Sequence, residues 1–144
     1  MIDVNTPLRK AYKTALTGIS YNSVAIPVYH SYLPDNLSPD NYIIFGNVVN
    51  NNASTLNSQD TSSSMRVTIY TTGNRNNSGD AADYIAGKVL ERIYASPAFN
   101  IAIDGPFQIT GTTLESDTTQ DYGLSANKIY IDRILIFKHS ILQK

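Results

Sequence analysis

Three carboxylates, Glu115, Asp117 and Asp121, crowd one short polar stretch, and His30 and His139 are the only two imidazoles of the chain. Carboxylates and histidine are the groups of general acid–base hydrolysis, in which one protonates a leaving group while another activates water. A small hydrolase or ligand-binding domain using Glu115–Asp121 with His30 is therefore one reading. The spacing works against it. No Gly-x-Ser-x-Gly nucleophile turn occurs. The acidic stretch also lacks the glycine and the terminal bidentate glutamate of a calcium loop. A solvated acidic turn accounts for it better. His139 continues the last strand and reads as a solvated strand-end residue, and His30 lies in a Pro-bounded extended segment.

Gly73-Asn74-Arg75-Asn76-Asn77-Ser78-Gly79 precedes a helix and invites a phosphate-loop reading. It has neither the Gly-Lys-Ser/Thr ending of a P-loop nor the glycine spacing of a dinucleotide turn. Asp80 and Asp83 would repel an anion at that helix start, so a strand-to-helix turn with a Ser or Asn cap explains it. With no cysteine, disulfides and Cys-ligated metals are excluded. No cofactor or metal is expected. Charged residues make up only 16% of the chain and the net charge is -1. The only cation cluster is Arg9, Lys10 and Lys13, too small for the several phosphate contacts of free nucleic-acid binding. Met1–Asn5 offers no basic region or apolar core of a secretory signal. The longest apolar run, Ile134–Phe137, is far short of a membrane span. No membrane partner is expected.

The elements that must position these groups read clearly. A basic amphipathic helix is predicted over Thr6–Gly18, capped by Asn5 or Thr6, with Pro7 in its first turn and Gly18 at its end. Leu8, Ala11, Tyr12, Ala15, Leu16 and Ile19 form its buried stripe. Val24–Tyr32 reads as extended, and Pro27 confines it to an edge or a bulge. Tyr42-Ile43-Ile44-Phe45, apolar on both faces, predicts a central strand covered on two sides. Met65, Val67 and Ile69 alternate with Arg66, Thr68 and Tyr70, the pattern of a half-buried strand. A second helix is predicted over Ser78–Ala95, with Ala82, Ile85, Ala86, Val89, Leu90 and Ile93 inward. Phe107–Leu114 alternates weakly, Glu115–Gly123 reads as a polar turn region, and Lys128–His139 is the strongest strand. Apolar residues on both its parities argue for a central position or a face covered by a partner chain.

Residues 1–144 fit one α+β domain. Asn50–Ser64 is almost wholly Asn, Ser, Thr, Asp and Gln, and reads either as a mobile hairpin loop or as an arm ordered by a neighbouring subunit. Ten tyrosines exceed what one small core requires and point to subunit contacts. Candidate interface residues are Asn50, Asn51, Asn52, Ser54, Thr55, Arg66, Tyr70, Arg75 and Arg133.

The segment order resembles the tail-terminator and tail-completion proteins of long-tailed bacteriophages. The likeness is carried by Pro7-Leu8-Arg9-Lys10-Ala11-Tyr12, by Val28-Tyr29 followed by Pro34, and by Asn41-Tyr42-Ile43-Ile44-Phe45. Arg66-Val67-Thr68-Ile69-Tyr70, the helix Ala81–Ile93 and the closing Tyr130-Ile131-Asp132-Arg133-Ile134-Leu135-Ile136-Phe137 complete it. The resemblance implies a small, mostly antiparallel sheet with two amphipathic helices on one face. It implies a homo-oligomeric, hexameric ring at the head-proximal end of the tail tube that stops tube polymerisation. The partners would be the tail tube protein and the head completion or connector protein. DNA would pass through the lumen without specific binding, and the location would be the virion neck, reached from the host cytoplasm during assembly. A head–tail stopper or adaptor of the same neck is the near alternative.

Overall fold

A computed structural model describes residues 3–37, 39–52, 54, 59–73, 79–123 and 128–144. Helix α1 (Asn5–Leu16) buries Leu8, Tyr12 and Leu16, the centre of the expected stripe. Its N-cap is Val4, without a side-chain cap, in place of the expected Asn5 or Thr6. Gly18 takes φ +94° and ends the helix, a conformation that costs a residue without Cβ little. Strands β1 (Ser20–Tyr21) and β2 (Val24–Ala25) form a two-residue hairpin around Asn22 and Ser23, both at positive φ. Pro27 then separates β2 from β3 (Val28–His30), an edge strand as its proline requires.

Strands β4 (Tyr42–Asn52), β5 (Gln59–Gly73), β6 (Phe107–Gly123) and β7 (Ile129–Gln143) complete a five-stranded sheet of order β3-β4-β5-β7-β6. The fold is α+β, as the segment order indicates, but the sheet is not small and antiparallel. β3 runs parallel to β4, three strands are 15 to 17 residues long, and with the β1–β2 ribbon the described residues hold seven strands.

Two further expectations are corrected. Glu115–Gly123 is no turn: it is the outer half of β6, held in register by β7 through pairs such as Asp117↔Leu135 and Asp121↔Ile131. Two register shifts, at Ile109/Gly111 and Leu114/Ser116, break its alternation, which is why the parity looked weak in sequence. The ends of the Asn50–Ser64 segment are also strand. Asn50, Asn51 and Asn52 pair with Ser63, Ser62 and Thr61, and β5 continues along β7 to Gln59↔Gln143. Backbone pairing on both sides orders this stretch without the apolar burial that its composition lacks.

Helix α2 (Asp80–Ile93) buries Ala82, Ile85, Ala86, Val89 and Ile93. Gly79, at φ +91°, is its N-cap in place of the expected Ser or Asn. Both helices pack on one face of the sheet. Their stripes meet Ile43, Phe45, Met65, Val67, Ile69, Leu135 and Phe137 in a single core. Arg92 in the last turn of α2 donates to the carbonyls of Ala15 (3.0 Å) and Thr17 (3.1 Å), satisfying acceptors at the end of α1.

Candidate functional site

The catalytic constellation is dispersed. His30 is on β3 and Glu115 and Asp117 are on β6, so they occupy opposite edges of the sheet. Ser31, at φ +70°, places Oγ 3.2 Å from His30 Nε2 and 3.5 Å from Nδ1. Near-equal distances put the oxygen between the two ring nitrogens and not along one lone pair, a poor geometry for taking the hydroxyl proton. Among the described residues, no group of three His or acidic side chains could hold a metal, and no helix is long and apolar enough to cross a membrane.

His139 is the largest departure. It is fully buried, not solvated, because β7 runs past it to Gln143 and α1 crosses above. Thr112 Oγ1 donates to Asn100 Oδ1 at 3.0 Å, so it accepts from His139 Nδ1–H at 2.9 Å. His139 Nε2 is then the acceptor for the hydroxyl of Tyr12. Burial pushes the imidazole down to about 4 and the Tyr12 phenol well above its ordinary value. The result is a structural relay pinning α1 to the sheet, closed to solvent.

What remains open is surface. The sheet face away from the helices carries Tyr42, Ile44, Arg66, Thr68, Tyr70, Asp132, Ile134 and Ile136, aligned by the register pairs Tyr42↔Tyr70↔Asp132 and Ile44↔Thr68↔Ile134. Tyr70 stacks on Tyr42 with centroids 4.8 Å apart, and Tyr29 meets Tyr42 edge-on at 6.5 Å. Burial raises the Asp132 carboxyl and both the Tyr42 and Tyr70 phenols; a hydrogen bond from Tyr122 partly opposes the rise at Asp132. Tyr42 and Ile44 are only half-buried, so the second cover expected for β4 is not supplied by the described part of the chain.

The candidate interface residues fall in three places. Arg66, exposed, and Tyr70, half-buried, lie on this open face. Asn50, Asn51 and Asn52 are exposed on the far end of β4, and Ser54 folds back on it, its N–H donating to Asn52 Oδ1 at 2.9 Å and its Oγ accepting from the Asp60 N–H at 3.2 Å. Arg133 is on the helix side, where it grips Asp117 through two bonds of 2.9 and 2.7 Å and reaches Asp83 at 3.1 Å. That grip holds the Asp117 carboxyl below its ordinary value and raises the guanidinium. Thr55 and Arg75 lie outside the described residues.

The Arg133 grip belongs to an acidic corner that sequence reasoning missed. Gly79, which opens α2, sits over Ile131, and Ile131 pairs with Asp121. Asp83 and Asp117 meet on Arg133, and Asp80 and Asp121 lie on the same two elements, all four exposed. Like signs at Asp80 and Asp83 were readable; their meeting with β6 depended on a strand mistaken for a turn.

No family model matches the chain, and no curated protein matches it. Among solved structures, a chain of the virion of a native gene transfer agent (GTA) particle aligns with a TM-score of 0.72 at 16% identity, over 99% of this chain and 99% of that one. The two share a fold along their whole length.

Proposed function

We propose that this chain is a structural protein of a phage-like virion, and within it the subunit of a ring, hexameric by the tail-terminator resemblance, that ends the tail tube and meets the head connector. The observation carrying the reading is the end-to-end fold likeness to a chain of a gene transfer agent virion. The surfaces support it. The sheet has two unlike edges, short β3 beside β4 on one side and the 17-residue β6 on the other. Unlike edges suit a heterologous, head-to-tail contact, the kind that closes into rings. One sheet face lies bare of helices and bears stacked tyrosines, residues suited to subunit contacts. In this role the chain needs no cofactor and turns over no substrate. DNA passes its lumen without specific contacts.

Purified protein should sediment as a ring, and a map of assembled particles should show this chain as the layer after the last tube ring. A strict monomer at high concentration, absent from assembled tails, would overturn the reading. A position beyond the first layer would assign it to the stopper or adaptor instead.

A further inference from the structure

Resting on the ring reading, we propose that neighbouring copies join through oppositely charged flanks of the helix layer: α1 of one copy seats against the acidic corner of the next. The occupant of each flank is therefore a second copy of this chain.

The charges are segregated by the fold. Arg9, Lys10 and Lys13 all lie on α1, with no acidic residue in its first turn. Lys13 Nζ donates to the carbonyl of Val28, and Arg9 lines one shallow pocket with His30 and Asp3, so these two cations overlie edge strand β3, whereas Lys10 lines a groove on the other side of α1 with Arg92 and Asp104. Asp3 is the one carboxylate lining that pocket among the described residues. At the other edge Arg133 bonds Asp83 and Asp117, and α2 and β6 carry two further exposed carboxylates, Asp80 and Asp121, on either side of that pair.

The register places these flanks at one height. A single cross-strand row runs His30↔Phe45↔Val67↔Leu135↔Asp117. Arg9 stands at its first member and Asp117 at its last, four strand spacings or about 19 Å apart, and the acidic corner extends from there along β6 to Asp121. A copy displaced sideways across the strands thus meets its neighbour cation to carboxylate with little rise. A level contact with a rotation closes a ring; a steep one would wind a filament. Pairing either flank with itself would oppose like charges, which disfavours two-fold dimers.

The test uses two reversed chains. One carries Arg9→Glu, which beside Asp3 leaves both flanks acidic; the other carries Asp80→Lys and Asp121→Lys, leaving both basic. Neither touches the ion pairs of Arg133 or the Lys13 bond. Circular dichroism and thermal melting establish that each folds, and R9Q with D80N/D121N are the milder pair if a reversal does not. By light scattering at low salt, each reversed chain alone should assemble about tenfold more weakly or worse than the unaltered protein. An equimolar mixture should regain assembly, because two chain types alternate around an even-numbered ring. Reversed chains that assemble alone, or a mixture that fails while the unaltered chain assembles, overturn the flank pairing and leave the ring standing. An unaltered chain that never assembles overturns both.

Discussion

At the residue scale the most consequential group is His139, whose two ring nitrogens are both satisfied in a dry core. Tyr12→Phe removes the hydroxyl that donates to Nε2 and leaves a buried acceptor without its partner. Urea unfolding should show a loss of about 1–3 kcal/mol. The pH dependence has a definite sign. The folded imidazole is depressed to about 4 from an ordinary 6.5, so the unfolded chain takes up the proton first as pH falls. Stability should be intact above about 6.5 and decline down to about 4, by about 3 kcal/mol in all, the equivalent of that shift. The raised Asp132 carboxyl acts the other way, binding its proton more readily in the folded state. His139→Gln, which keeps a donor and an acceptor without titrating, isolates the histidine: unfolding curves of the two proteins should converge toward acid pH and differ in slope between pH 6.5 and 4. Parallel curves would refute the assignment.

At the scale of elements, Arg133 ties α2 to β6 through three hydrogen bonds. Arg133→Lys cannot reproduce the two-pronged grip on Asp117. It should destabilise by about 1 kcal/mol, read by thermal melting, with the loss shrinking in high salt because the carboxylates are partly exposed. The β5 segment makes a sharper test. Backbone amides of Thr61–Ser63 should exchange with solvent far more slowly than a loop would allow, because β4 and β7 flank them. Rapid exchange would return the segment to the loop reading. Sequence revealed the helices well because their apolar stripes repeat at 3.6 residues and a packed core repays that pattern. It revealed the inner face of β5 through Met65, Val67 and Ile69, and the edge position of β3 through Pro27. It hid the outer half of β6, where Glu115 to Asp121 carry no apolar signal and bulges shift the parity. Such a strand exists because β7 offers it hydrogen bonds, and pairing is invisible to composition. His139 was hidden for the same reason: its burial depends on α1 and Thr112, remote in the chain. The acidic corner needed that strand to be seen first.

At the scale of the molecule, the proposed ring would draw on two features, a fold shared with a virion chain and charge flanks of opposite sign. If flanks of opposite sign carry the contact, assembly should weaken steadily as salt rises and the Debye length contracts from about 10 Å at 0.1 M to 3 Å at 1 M. Light scattering across that range, insensitive to salt, would count against it. One further feature governs how the chain is made. β7, which follows β6 in the sequence, lies between β5 and β6 and not at a margin. Until it arrives, β6 has no neighbour, β5 is bare along one side, and the hydroxyl of Tyr12 lacks its imidazole. A chain truncated before Ile129 should show no cooperative melt. If copies join through the two flanks, a chain stopped before Ile129 has no framework on which to present either of them.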